Sequence, residues 1–328
     1  MHVRFVSSLI RNVLLGIGLT SLLAAPAQAQ TWPSRPLRFV VPAPGGSSPD
    51  IVARLIADKL KDSLGQPVVV DNRVGAGGTI GVDNVAKARD GHTILLGYNG
   101  PLTVAPSLFS KLAYDPARDL APIILAATQP QVLVVRSTLG VNNFKDWVSY
   151  VKARPGKLNY ASVGNGSLSH LTMETMKVDA GVFSVHIPYP GGPQAAQAIA
   201  AGEVDMGFMA LSNVQPLVAA GKIKILALSN GKRSAAIPDV PTIAELGFKG
   251  FDATTWNGIL APVDMPREHV TRLNKLIADI LAMPDVRSRM LAAGAEPAGG
   301  SSEDFAALLK SEWARWPAVV KRSGAKVD

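Results

Sequence analysis

The chain has 328 residues, a formal net charge of +8 and no cysteine, which excludes a disulfide framework and thiolate metal sites. Its basic residues are scattered in short pieces such as "KLKD", "KIK" and "GKR". With no aromatic interleaving they exclude a nucleic-acid surface and support only a general attraction for anions. The first element is a leader. Arg4 and Arg11 accompany the apolar run Val13 to Leu23, and "AQA" at 27–29 supplies small residues before cleavage after Ala29. That is the layout of a secretory signal peptide, whose apolar part is too short for a comfortable span of roughly 20 residues. Cleavage leaves 299 residues, 328 less 29, a length that predicts two domains. Export without disulfides fits a bacterial periplasmic protein with a core large enough to need no staples.

Beyond the leader, short apolar or β-branched runs alternate with helical patterns. Strands are predicted at 37–41 and 67–71 around a helix at 49–65, then at 93–98 and 131–135. A helix at 144–156 leads to a strand at 158–162, a helix at 168–181 and a strand at 185–189. A helix at 193–202, strands at 204–208 and 223–229 and a helix at 269–283 complete the pattern. Strands that are apolar throughout and alternate with helices predict an α/β fold with largely parallel sheets. Gly65, Gly156, Gly181 and Gly202 stand where helix C-caps belong.

Four times a strand runs into a glycine-rich turn that opens a helix: "PGGSSPD" (44–50), "GAGGTIG" (75–81), "SVGNGSLSH" (162–170) and "PYPGGPQ" (188–194). In open parallel sheets such turns lie at the carboxyl ends of strands, where ligands bind. A helix N-terminus offers unpaired N–H groups and about half a positive charge, so each turn can hold an anion without a charged side chain. In the first, Ser48 is expected as N-cap, Pro49 at N1 and Asp50 at N2, with Gly45 and Gly46 letting backbone approach a ligand. In the third, Ser162, Asn165, Ser167 and Ser169 offer hydroxyl and amide groups ahead of His170. The plainer alternative is that Ser167 caps the helix and His170 packs in the core. Tyr98-Asn99 and Tyr189 end strands directly beside such turns. Asp205 is expected to pair with a cation.

No turn carries the P-loop lysine, a G-x-G-x-x-G fingerprint, a G-x-S-x-G elbow or an H-E-x-x-H helix. His92, His170, His186 and His269 are far apart in sequence, so nothing local argues for a metal site or a triad, and no cofactor is expected.

The pieces "RPLRFVVPAPGGSSPDIVARLIADKL", "LGQPVVVDNRVGAGGTIGVDNVAKARDGHTILLG", "LNYASVGNGSLSHL", "PYPGGPQAAQAIAAGEVDMGF" and "TWNGILAPVDMPREHVTRLNKLI" occur in this order. In them the chain resembles the substrate-binding proteins of tripartite tricarboxylate transporters, the Bug family, over essentially its whole length after the leader. The resemblance implies a two-lobed periplasmic binding protein, a Venus flytrap with a mostly parallel sheet flanked by helices in each lobe. It implies that residues 30–128 plus 255–328 form one lobe and 129–254 the other, with hinges near 126–131 and 250–258. It further implies a non-enzymatic, monomeric receptor that delivers a small organic carboxylate to a two-subunit membrane permease, held mainly by backbone N–H groups, hydroxyls and water.

Carried onto this sequence, the first-lobe site would be Gly45, Gly46, Ser47 and Ser48 with Tyr98 and Asn99. The second would be Ser162, Gly164, Asn165, Ser167 and His170 with Tyr189 and Gly191. The order "PGGSSPD" departs from the family's commoner turn, because Pro49 separates Ser48 from Asp50. Two alternatives stand beside this reading. One is a periplasmic ligand-binding partner of a sensor kinase ectodomain. The other is an exported hydrolase using His170 with Ser162 or Ser167.

Overall fold

The computed structural model describes residues 32–325; the signal peptide and its cleavage after Ala29 lie outside the described residues. Strand β1 (Leu37–Val41) runs into α1 (Ser48–Leu64), β2 (Val68–Asn72), α2 (Thr79–Ala86) and β3 (Thr93–Tyr98). After short helical turns comes β4 (Leu120–Gln129), and a single residue, Pro130, separates it from β5 (Gln131–Arg136). Next are α3 (Phe144–Lys152), β6 (Asn159–Ser162), α4 (Leu168–Ala180), β7 (Val185–Pro188) and α5 (Gly192–Ala201). They are followed by β8 (Met206–Ala210), α6 (Leu211–Ala219) and β9 (Ile223–Leu228). The last elements are β10 (Thr255–Pro262), α7 (Arg267–Ala282), α8 (Pro284–Ala292), β11 (Glu296–Gly299) and α9 (Ser302–Ser323).

The strands form a six-stranded sheet of order β11-β4-β10-β3-β1-β2 and a five-stranded sheet of order β7-β6-β8-β5-β9. The two share a plan. In the first, β1 pairs in parallel with β2 and β3, and β10 follows β3 antiparallel. In the second, β6 pairs in parallel with β7 and β8, and β5 follows β8 antiparallel. The expected α/β class with two helix-flanked sheets is thus borne out, with β5, β10 and β11 as the strands that run against the majority.

Alternate residues of β5 explain why its sequence is apolar throughout. Leu133 and Val135 join Trp147, Tyr160 and Met173 on one face. Val132 and Val134 join Ala195, Ile199 and Val214 on the other. A strand buried on both sides cannot alternate polar and apolar residues. Each fully buried side chain of this size contributes roughly 1.5–3 kcal/mol.

The crossing from one sheet to the other fixes where a site can form. Both β3 and β4 run antiparallel to β10, so Gln129 ends β4 at the edge where β1 and β3 end. Strand β5 runs antiparallel to β8, so Gln131 starts at the edge where β6 and β8 end. The carboxyl edges of both sheets therefore meet at Gln129-Pro130-Gln131. The return from β9 to β10 lies against this crossing: Ser229 N–H donates to Gln131 C=O at 2.9 Å, and Ala253 N–H to Ser229 C=O at 2.8 Å.

Helix α9, which the sequence reading did not single out, touches both cores. Its Phe305 and Leu309 pack with Val40, Leu95 and Trp256, while Trp316, Val319 and Val320 pack with Leu133 and Trp147. A capping box of Ser301 and Asp304 opens it. Phe305 lies directly over Gly258 of β10, where an added Cβ would come within 2.0 Å of its ring. Gly258→Ala is therefore expected to lose about 1–3 kcal/mol in urea unfolding by overpacking.

Candidate functional site

The first and third glycine-rich turns are the same turn, built twice. In the first, Ser47 N–H and Oγ both donate to Pro44 C=O, at 3.2 and 2.6 Å. In the third, Ser167 N–H and Oγ both donate to Gly164 C=O, at 3.2 and 2.7 Å. Ser47 and Ser167 are the N-caps, with φ, ψ of −71°, 161° and −66°, 159°. The glycines before them, Gly46 and Gly166, have φ of +78° and +71°, a left-handed conformation that suits glycine. Each glycine N–H donates to the third residue of its helix: Gly46 to Asp50 Oδ2 at 2.8 Å, and Gly166 to His170 Nδ1 at 3.1 Å. The cap thus lies at Ser47, one residue before the expected Ser48, because Pro49 occupies the second helical position and not the first.

Once these internal bonds are made, the N–H groups of Gly45, Ser48 and Asp50 in the first turn find no acceptor among the described residues. The same holds for Asn165, Leu168 and Ser169 in the second copy, at 162–170, called the second turn below. Such groups at a helix start are what an anion needs. The two turns differ in charge. Asp50 is buried, and desolvation alone would push its carboxyl up. Hydrogen bonds from Arg54, Gly46 and Asn72 and the Arg54 charge outweigh burial and hold it below the usual carboxylate value. The matching position in the second turn carries an imidazole.

The glycine-rich turn at 75–81 packs onto the one at 44–50. A Cβ on Gly81 would meet Pro42 at 2.7 Å, and one on Gly78 would meet the Tyr98 hydroxyl at 2.6 Å. Tyr98 donates to Pro42 C=O at 3.0 Å, and burial pushes its phenol to about 12. Ala76 in this turn, at φ 45°, is the one non-glycine residue of positive φ among those described. Asn99 is buried, and its side chain is fully engaged. Its Oδ1 accepts from Trp256 N–H at 3.0 Å, and its Nδ2 donates to Glu312 at 3.1 Å and to Thr254 C=O at 3.3 Å. It joins the loop after β3 to α9 and to the start of β10.

Beneath the third turn lies a stack of rings. His170 and His186 stack at 4.0 Å between centroids, and Tyr160 lies 4.9 Å from His186. Ser162 is fully buried; its Oγ lies 2.6 Å from His186 Nε2 and accepts from Gly164 N–H at 3.1 Å. Burial, and then the neighbouring His170, lower His186 to about 4, with Lys177 acting in the same sense and Glu174 against it. Burial lowers His170 as well. The fourth turn is tied to the third through Tyr189 N–H, which donates to Ser162 C=O at 2.9 Å. Gly191 caps α5, and Asp205 pairs with Arg136 at 2.9 Å as expected.

Of the residues expected at a site, Gly45, Gly46, Ser47, Ser48, Gly164, Asn165, Ser167, Tyr189 and Gly191 reach the surface. Ser162, Asn99 and His170 are buried and shape the turns from beneath. Ser162 of the close Ser162–His186 pair is fully buried, and among the described residues no carboxylate bonds the imidazole. Glu174 is held instead by Tyr160 at 2.5 Å and Lys177 at 2.7 Å. Three residues that sequence reasoning missed converge on the turns: Gln129, Gln131 and Asn257, all buried. A separate concavity lined by Arg38, Arg73, Asp83, Lys87 and Arg89 borders the turn at 75–81 through Ile80. Lys87 there pairs with Asp83 at 2.6 Å, and Arg89 with Asp264 at 3.3 Å. Among the described residues no cluster could hold a metal ion, and no helix is long and apolar enough to cross a membrane.

The family model described as "Tripartite tricarboxylate transporter family receptor" matches residues 52–325. A Pseudomonas protein described as "UPF0065 protein in tcbD-tcbE intergenic region" is 41% identical over 318 residues, covering 94% of this chain and 93% of that protein. The solved structure of R. palustris Rpa4515 with adipate superposes with a TM-score of 0.83 at 36% identity, over 90% of this chain and 99% of the other. MatC from Rhodopseudomonas palustris with bound malate gives 0.78 at 34% identity, over 88% and 100%.

The ring stack makes stability depend on pH. Between pH 6.5 and about 4 the unfolded chain protonates His186 and the folded chain does not, so stability falls as pH falls through that window. The loss from this group is at most about 3 kcal/mol. Urea midpoints measured across the window should show a shallower slope for His186→Gln than for the parent.

Proposed function

The chain belongs to the tripartite tricarboxylate transporter family of receptors, and from that membership we propose that it is periplasmic, captures a small organic carboxylate between two lobes and delivers it to a two-subunit membrane permease. The observation that carries this reading is the repeated turn: two helix starts of one design, each with free N–H groups, at the two sheet edges that meet at Pro130. The binding lobes are the two sheets with their helices, and the hinges are the crossing at 129–131 and the return at 229–255. The end of α9 packs with the second core through Trp316, Val319 and Val320, which supports counting it with the second lobe in this reading.

Lobe closure brings the turns onto one ligand, and the ligand favours the closed state by its added affinity for it. A micromolar receptor needs about −8 kcal/mol in total. A few hydrogen bonds to a charged carboxylate, at about 1.5–3 kcal/mol each and offset by ordering costs, reach that with burial. The second turn is the stronger carboxylate seat. Ser169 supplies an N–H where Pro49 has none, and neutral His170 stands where Asp50 carries charge. The first turn takes the other end of the ligand, with the Ser48 hydroxyl and Tyr98 beside it.

Adipate and malate, seen with related receptors, are the first probes. Calorimetric titration of protein stripped by unfolding and refolding should give micromolar binding to at least one small dicarboxylate. Asn165→Pro, which deletes one free N–H of the second turn, should weaken that binding about tenfold. Folded protein that binds no member of a carboxylate panel would overturn the reading.

A further inference from the structure

The two turns are joined through the crossing by side chains. Gln129 Nε2 bonds Ser48 Oγ and, at 2.9 Å, Asn257 Oδ1. Two residues on, Gln131 Oε1 accepts from Thr172 Oγ1 at 3.0 Å, and Thr172 stands one turn after Leu168 in α4. Ser48 and Leu168 are the first helical residues of α1 and α4, so they hold equivalent places in the repeated turn. Each amide flanking Pro130 thus bonds the opening turns of the helix that follows the repeated turn in its own lobe. The backbone between them is pinned by Asn230, whose Oδ1 accepts from Gln131 N–H at 3.0 Å and whose Nδ2 donates to Gln129 C=O at 3.4 Å. Gln129, Gln131, Thr172 and Asn257 are all at most 4% exposed, where an unmade hydrogen bond is costly.

We infer that Gln129 and Gln131 are positioning residues, through which the crossing segment sets the two ligand-holding turns in register with each other. At Ser48 the amide also fixes the hydroxyl: Gln129 donates to its oxygen, which leaves the Ser48 proton for an acceptor outside the protein. An apolar side chain of equal length at either position keeps the packing and loses the registration. The inference rests on the carboxylate-receptor reading only where affinity is concerned.

The test uses a chain that has no cysteine, so Asp62→Cys and Asp179→Cys, exposed near the far ends of α1 and α4, accept a spin-label pair cleanly. Distance distributions between them are measured without ligand for the parent, Gln129→Met and Gln131→Met. Ser301→Ala, a cap deletion on α9, serves as a destabilised control. Each Met variant should broaden or shift the distribution while the Ser301 variant does not. Each should also raise the dissociation constant for adipate or malate about tenfold, the effect of one lost hydrogen bond to a buried group. Distributions that match the parent, with only a lowered melting point, would overturn the inference and leave the amides as core hydrogen bonds. Should Gln131→Met not fold, Gln129→Met alone decides, because it predicts the same broadening. If the parent binds no carboxylate, the proposed function fails while the distance measurement still decides this point.

Discussion

Two sheets are joined by strands that leave and enter at their carboxyl edges, with Pro130 alone between Gln129 and Gln131. That constraint governs the rest of the molecule. It brings the carboxyl edges of both sheets to a common line, so the glycine-rich loops after their parallel strands lie at the edges that meet there. The return segment must run beside the crossing, which it does through Ser229, Asn230 and Ala253. Helix α9 then spans both cores and ties Asn99 to the same region through Glu312.

Against that frame the repeated turn acquires meaning. A proline- or glycine-led turn that closes on a serine cap is ordinary, and one copy would say little. Two copies with matching hydrogen bonds, differing chiefly in Asp50 against His170, make a pair of seats of unequal charge. The first seat carries its own buried carboxylate, paired with the Arg54 guanidinium and hydrogen-bonded by Asn72. The second rests on neutral imidazoles kept uncharged by burial. In the proposed reading, backbone dipoles fixed before the ligand arrives would meet the charge of a dicarboxylate laid between them.

Much of this was legible in the sequence, and the misses have physical causes. The strands apolar throughout and the glycine-rich turns were readable because burial on both faces and left-handed glycines leave plain local signs. Ser167 as a cap and His170 as a packed residue stood in the sequence only as the plainer alternative to ligand contact, because local rules do not say which side of a helix start is covered. Strands β4 and β10 were missed because Pro122, a run of alanines and Gly258 give "LAPIILAATQ" and "TWNGILAP" poor strand propensity, and pairing between distant strands overrides that. Asn99, Gln129 and Asn257 could not be placed from sequence, since their partners lie up to 213 positions away. His186 read only as a strand residue, because its relation to His170 exists in the folded sheet alone. Pro49 shifted the cap by one residue because proline is tolerated in the first turn wherever no N–H is required.

The central claim is that one ligand is held by backbone N–H groups of both turns at once. Residue-resolved amide hydrogen exchange, with and without a saturating small dicarboxylate, addresses those groups directly. The account predicts added protection at Gly45, Ser48, Asn165 and Leu168 together, with little change at Gly46 and Gly166, whose N–H groups are already bonded internally. Saturating ligand that protects one turn and leaves the other unchanged, or protects neither, would contradict it.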